Sequence, residues 1–277
     1  MQLSPRYDGL RVLAFDPPPV DPSVPLLRQR RRLVATLAGF DADRWGAPSR
    51  CAAWANRDVV SHLVTVNVFW AASIAAGRAG APTRFLGGFD PAVTPAQLVE
   101  AAPVVTDAEL LDSLAASTDS LAEALADIDA DGWALAAEAP PGHLAVGAVA
   151  LHALWDSWVH ERDILLPLGE TPPEEADEVA GSLRYVAGLG PAILATTGST
   201  RTGTFGVEAT GPDMSMVVSV GSEVVVREAP VPGGVATLRG PAPDLVDALS
   251  LRTGPPALPG DDAWMVDGMA ALFDQVG

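Results

Sequence analysis

The sequence predicts an α+β protein: a helical bundle over residues 1–200 and a small α+β domain with an antiparallel sheet over residues 201–277. Three observations predict it. Up to about Ala195 the apolar residues recur at three- and four-residue spacing in long stretches, the period of a helix with one buried face. From Thr204 onward the pattern changes to short β-branched runs divided by Gly, Pro or Asp, the pattern of strands. Between the two, residues 199–203 are polar and contain glycine, as a linker does.

Residues 1–21 are Pro-rich and aperiodic and read as an irregular arm. Asp21-Pro22-Ser23 opens a helix running to about Phe40. Its basic run, Arg28-Gln29-Arg30-Arg31-Arg32, sits among Leu26, Leu27, Leu33 and Leu37 and reads as a solvated face. Residues 45–51 are a loop by their Gly, Pro and Ser content. Asn56 is placed to cap a second helix, whose buried face is Val59, Leu63, Val66, Trp70 and Ile74. His62 lies beside that stripe, and Gly77 and Gly80 end it. After a Gly/Pro-rich connection come two capping-box patterns, Thr94-x-x-Gln97 and Thr106-x-x-Glu109. The second leads a stripe of Leu110, Leu114, Leu121 and Leu125. Pro140-Pro141-Gly142 breaks the pattern. A helix then runs over about 146–166, stopped by Pro167 and Gly169, and Thr171-Pro172-Pro173-Glu174 starts another that reaches about Ala195. Strands are expected at 204–210, 214–220, 223–228 and 235–239, and helices at 241–251 and 261–276.

Composition narrows the function. Hydrophobic residues make up 48 % of the 277, enough for a sizeable core. With 17 basic against 35 acidic residues the net charge is −18. Such a surface repels nucleic-acid phosphate and anionic lipid, so neither a nucleic acid nor a membrane is the expected partner. One cysteine, Cys51, allows no internal disulfide, and the N-terminal residues lack a signal-peptide pattern, so a cytoplasmic location is expected. High Ala, Gly and Pro with little Lys suggests a GC-rich bacterial genome.

The chemistry concentrates in Leu151-His152-Ala153-Leu154-Trp155-Asp156-Ser157-Trp158-Val159-His160-Glu161-Arg162-Asp163, which holds two of the four histidines. Residues four apart share a helix face, so His152, Asp156 and His160 form a polar stripe on an apolar helix. Buried polar groups need partners, and a divalent metal would satisfy Asp156 and His160 together. His62 is the natural third ligand. Imidazole and carboxylate suit zinc, nickel, iron or manganese, and three protein ligands leave a position open for chemistry. His152 and Asp163 are close enough in sequence to orient such ligands. The competing reading is plain: isolated histidines often just hydrogen-bond inside cores.

Pro48-Ser49-Arg50-Cys51-Ala52-Ala53-Trp54-Ala55-Asn56-Arg57-Asp58-Val59-Val60-Ser61-His62-Leu63 resembles the Cys-x-x-Trp-x-x-x-Asp-x-x-x-His-Leu signature of mycothiol-dependent maleylpyruvate isomerase-type proteins. These belong to the wider DinB-like family of metal-binding helical bundles. The stretch Trp155–Ile164 resembles the family's second signature. Gly240-Pro241-Ala242-Pro243-Asp244-Leu245, leading to Leu251-Arg252, is similar to the sterol-carrier-like domain that often follows. The resemblance implies a divalent metal, zinc first, on His62, Asp156 and His160, with mycothiol as cosubstrate. At Asp156 the family more often has Glu or His. It further implies a role for Arg252 in substrate or thiol handling. Trp158 is a candidate for the ligand-cavity wall, and Cys51 reads as a small hydrophobe packed near the helix start. The expected function is a metal-dependent, thiol-using isomerase or S-transferase acting on an electrophilic small molecule. The alternative is a non-catalytic metal- or ligand-binding protein on the same bundle. Neither the general base nor the oligomeric state is legible.

Overall fold

A computed structural model describes residues 3–7, 9, 11–254 and 257–273. Helices α1 (Ser23–Leu37), α3 (Asn56–Arg78), α5 (Asp107–Leu125) and α7 (Val146–Leu165) pack as a four-helix bundle, joined by the short helices α2 (Ala42–Gly46), α4 (Thr94–Glu100) and α6 (Ala130–Trp133). Strands β2 (Ala136–Ala139) and β3 (Gly142–Ala145) form a hairpin where the sequence shows only the Pro-Pro-Gly break. Gly142 has φ +122°, and a Cβ there would meet the Arg6 carbonyl oxygen at 2.0 Å, so only glycine lets residues 5–7 lie against the hairpin.

Helix α8 (Ala176–Thr196) is apolar on nearly all sides because it runs between α7 and a five-stranded sheet. That sheet is ordered β1-β6-β5-β4-β7, from Leu13–Asp16, Val224–Glu228, Met214–Val220, Gly203–Thr210 and Thr237–Pro241. Gly188 of α8 makes the close approach: a Cβ there would meet Leu13 and Val226 side chains at 2.5 and 2.8 Å. Helices α9 (Ala242–Leu249) and α10 (Gly268–Phe273) pack on α8. One apolar core runs without a break from Trp70 and Leu121 in the bundle, through Leu183 and Leu189, to Phe205, Val218 and Val226 in the sheet. A second gathers Leu33, Trp45, Leu63, Leu114 and Ile164 at the other end of the bundle.

The α+β class holds, with three corrections of detail. The sheet is mixed: β1 runs parallel to β6 and β7 parallel to β4, while β4, β5 and β6 are antiparallel. Alternation sets which face a residue occupies but carries no strand direction. The N-terminal arm is ordered at Leu13–Asp16, where it supplies the edge strand, pairing Leu13 with Val224 and Asp16 with Arg227, 211 positions away. Of the basic run only Arg31 is exposed as a solvated face would be. Arg28 and Arg32 bind Glu178, Arg32 also binds Glu161, and Arg30 is only 1 % exposed.

Local signals fared unevenly. The Thr106/Glu109 capping box forms as read. The start of α3 is instead held by Asp58, whose carboxylate accepts the Ala55 N–H at 2.9 Å, while Asn56 is buried and donates to the Arg44 carbonyl. Thr94 is no cap either, since α4 starts at Thr94 itself with no side-chain cap. The expected helix at 261–276 is a 3-10 turn at Gly260–Met265 followed by α10, and its last positions lie outside the described residues. Helix α3 has the length and composition to cross a membrane, but it packs between α5 and α7 and carries His62.

Candidate metal centre

His62 projects from α3 and Asp156 and His160 from α7, the two helices being neighbours in the bundle. The His62 Nε2 lies 3.7 Å from Asp156 Oδ1, and the His160 Nε2 lies 3.6 Å from the same oxygen. The two imidazole rings meet edge to face with centroids 5.0 Å apart. These separations are too long for hydrogen bonds. They are close to the spacing of about 3.4 Å that two donors adopt on one tetrahedral ion with bonds of about 2.0–2.1 Å. The other carboxylate oxygen, Asp156 Oδ2, is buried and has no partner. A buried charged oxygen without a partner is costly, and a cation held by Asp156 would supply one. The donor set and its spacing therefore fit a divalent ion.

Asp163, wholly buried, sits behind His160 and fixes its tautomer. The His160 Nδ1–H donates to Asp163 Oδ2 at 3.0 Å, which turns Nε2 towards Asp156 and His62. Arg252 Nε and Nη2 donate to the same carboxylate at 2.8–3.0 Å, and Arg50 Nε donates to Oδ1 at 2.9 Å. Cys51, Asp163 and His160 Nδ1 also form a metal-capable group. There, however, an ion would sit against two guanidinium groups already bound to Asp163, so the His62 set is the better centre.

The electrostatics follow this arrangement. Burial lowers the pKa of His62, against the pull of Asp156, so its lone pair stays free. Burial works to raise Asp156, but the two imidazoles outweigh it and hold the carboxyl well below the usual range. Burial also lowers His160, yet its bonds to Asp163 and Cys51 and the charge of Asp156 raise it to about 10.

Local structure explains how a loop and a distant helix end reach this point. The Arg50 N–H donates to the Asp163 carbonyl at 3.0 Å, pinning the 48–55 loop to α7. The Arg50 guanidinium bridges on to Asp247 of α9 at 3.0–3.1 Å. Just past α9, Leu251 takes a left-handed φ of 59°, and the Arg252 N–H caps back to the Asp247 carbonyl at 2.8 Å. That turn aims Arg252 at Asp163.

His152 is one turn before Asp156 but faces the Tyr185 hydroxyl, with Trp70 and Trp155 rings around it, and burial pushes its pKa down to about 4. It is a neutral core residue next to the centre. Trp158 stands apart: two positions from both Asp156 and His160, it is buried in the core under the Arg162 guanidinium. The partly exposed tryptophans near the centre are Trp54, 5.4 Å from the His62 ring, and Trp155, whose Nε1–H donates to Ser250 Oγ at 2.9 Å. Cys51 is more than a packing residue. Its thiol donates to Asp163 Oδ2 at 3.2 Å, with Arg252 Nη2 at 3.6 Å. Arg50 and Asp247 were not legible as site residues, because only the fold brings 50, 163 and 247 together.

Residues 26–165, just over half of the chain, match the family model described as the mycothiol maleylpyruvate isomerase N-terminal domain. Two solved structures are similar in fold. One is a mycothiol-dependent maleylpyruvate isomerase, 14 % identical, with a TM-score of 0.56 over 86 % of this chain and 92 % of that one. The other is a histidine-to-alanine mutant of a mycothiol-dependent maleylpyruvate isomerase, 13 % identical, with a TM-score of 0.57 over 84 % and 90 %. Comparison with curated protein sequences gave no match. The family match ends at residue 165 and does not reach the C-terminal part, for which the sterol-carrier-like resemblance is an expectation from sequence alone.

Proposed function

Because the chain belongs to the mycothiol maleylpyruvate isomerase family, we propose that it is a metal-dependent enzyme that uses a low-molecular-weight thiol, mycothiol by family, to isomerise or conjugate an electrophilic small molecule. One observation carries the metal part of this reading. Two imidazole Nε2 atoms converge on one oxygen of Asp156 while its other oxygen is buried without a partner. His62, Asp156 and His160 would hold the ion, for which zinc suits the two-nitrogen, one-oxygen donor set. When bound, such an ion favours the deprotonated form of a coordinated thiol.

The chain's own residues supply the rest. Asp163 keeps the His160 proton on Nδ1, so that Nε2 stays a donor to the ion. Arg252, half-buried, is the cation beside the centre that can balance negative charge on a reacting carbonyl or carboxylate. Trp54 and Trp155 limit water around the pair. In the isomerisation, the thiol sulfur adds to one carbon of a conjugated double bond, the electron pair moves to the adjacent carbonyl, and rotation about the new single bond precedes expulsion of the thiol. In the transfer, the sulfur–carbon bond is kept and the enolate carbon takes up a proton from solvent.

The test is metal content together with mycothiol-dependent turnover of a panel of unsaturated carbonyl compounds, for the wild type and His62→Ala. The expected result is one divalent ion per chain and thiol-dependent turnover in the wild type, with both lost in the variant. Metal and thiol binding without turnover would favour the non-catalytic alternative. A His62→Ala protein that keeps its metal and its thiol response would remove the basis of the reading.

A further inference from the structure

Arg30 is the outlier of the bundle interior. It projects from α1, is 1 % exposed, and makes one hydrogen bond, from Nη2 to the Ala153 carbonyl at 3.2 Å. Its Nε and Nη1 are buried without partners. No carboxylate lies within ion-pair distance of it among the described residues, whereas its neighbours Arg28 and Arg32 are paired. A guanidinium in this position is expensive to bury and stays protonated. Burial lowers its pKa only to about 10, opposed by the charges of Asp156 and Glu161. Glu161 is already taken by Arg32 at 2.7 and 3.0 Å and by Gln29 at 3.0 Å. That leaves Asp156, three residues along α7 from the Ala153 carbonyl that Arg30 holds, whose Oδ2 is the unpartnered buried oxygen of the metal set.

We propose that Arg30 is a positioning residue for the metal centre: a permanent buried cation, held on the Ala153 carbonyl one turn before Asp156 on α7, that adds to the positive charge of the loaded centre and so biases its open position towards anionic ligands. The inference rests on the metal reading of His62, Asp156 and His160 and adds a role to a residue outside it. The charge count gives the direction. The ion brings two positive charges and Asp156 one negative, while His62 and His160 are neutral when they ligate. Arg30 adds a further positive charge within an interior that screens weakly. Arg30 therefore opposes ion binding and favours an anion on the ion. A thiol anion is the ligand the proposed reaction needs, and a neutral ligand gains nothing from Arg30.

The experiment uses the full chain loaded with Co2+. It measures cobalt affinity by chelator competition and azide affinity by the change in the visible cobalt spectrum. Arg30→Met removes the charge at similar volume, Arg30→Gln is a second uncharged variant should the first fold poorly, and Arg30→Lys restores the charge. The expected result for the uncharged variants is cobalt binding ~10-fold tighter and azide binding ~10-fold weaker, with Arg30→Lys returning towards the wild type. A purely structural arginine would not tighten cobalt binding. Cobalt and azide affinities unchanged in the uncharged variants, or weaker cobalt binding, would overturn the inference while leaving the metal centre standing. Failure of the wild type to take up cobalt would overturn the metal reading itself, and the inference with it.

Discussion

Asp163→Asn is the perturbation that asks most of this structure. The carboxylate is wholly buried and receives Arg252 at 2.8–3.0 Å, Arg50 at 2.9 Å, His160 at 3.0 Å and Cys51 at 3.2 Å. Asparagine keeps one acceptor oxygen, loses the charge, and turns an NH2 group towards a donor. Neutralising one member of a buried, hydrogen-bonded charge cluster costs about 3–5 kcal/mol. For a chain of this size that lowers the melting temperature by about 10 °C. The same change frees the His160 ring, and loss of a ligand-orienting carboxylate weakens metal binding ~10- to 100-fold. Thermal denaturation of the metal-free protein and chelator competition on the loaded one read the two effects separately. A cycle with Arg252→Met sharpens the test. With Asp163 gone, Arg252 is an unpaired charge, so removing both should cost at least 1 kcal/mol less than the sum of the single changes. Strict additivity, or an Asp163→Asn protein within about 0.5 kcal/mol and twofold in metal affinity of the wild type, would refute the account of Asp163 as the post that holds His160 and Arg252.

Two further outcomes concern the ion's proton balance and the hairpin. In the metal-free protein His160 has its pKa raised to about 10 and is an imidazolium at neutral pH, so ion binding at pH 7.5 must expel its Nε2 proton. Calorimetric titration in buffers of different ionisation enthalpy should show release of about one proton per ion, and none if His160 is already neutral. Gly142→Ala would strain a φ of +122° and drive a Cβ into the Arg6 backbone, so denaturant unfolding should show a loss of about 2 kcal/mol or more with metal stoichiometry unchanged.

The sequence made some of this legible and hid the rest for physical reasons. The stripes of α3, α5 and α7 were readable because a long amphipathic helix repeats its signal over several turns, and the stops at Pro167 and Gly169 bounded α7 within one residue. Asp156 and His160 were readable as a pair because four residues is one helical turn. His62 was readable as the natural third ligand, and the family resemblance added weight to it, but its meeting with α7 was not readable, since nothing local says which helix faces which. Strand β1 was invisible: four residues carry too little alternation, and the partner that makes them a strand lies 211 positions on. The 28–32 run misled because a basic pentapeptide reads as solvated, whereas Glu161 and Glu178 from two other helices draw Arg28 and Arg32 inward. Cys51 read as bland for the same reason, its neighbours being set by a loop pinned to the far end of α7.

The edge strand at Leu13–Asp16 has a consequence for how the chain comes into being. A ribosome adding roughly 5–20 residues each second would leave Leu13 and Phe15 waiting roughly 10–40 s for Val224 and Val226 to be made. During that interval the emerging helices can gather, yet the first strand has nothing to zip onto. Its greasy side chains are open to passing chaperones and to other nascent chains. Stitching rows made 211 positions apart into one sheet thus makes the synthesis of the later strand the checkpoint for a finished sheet.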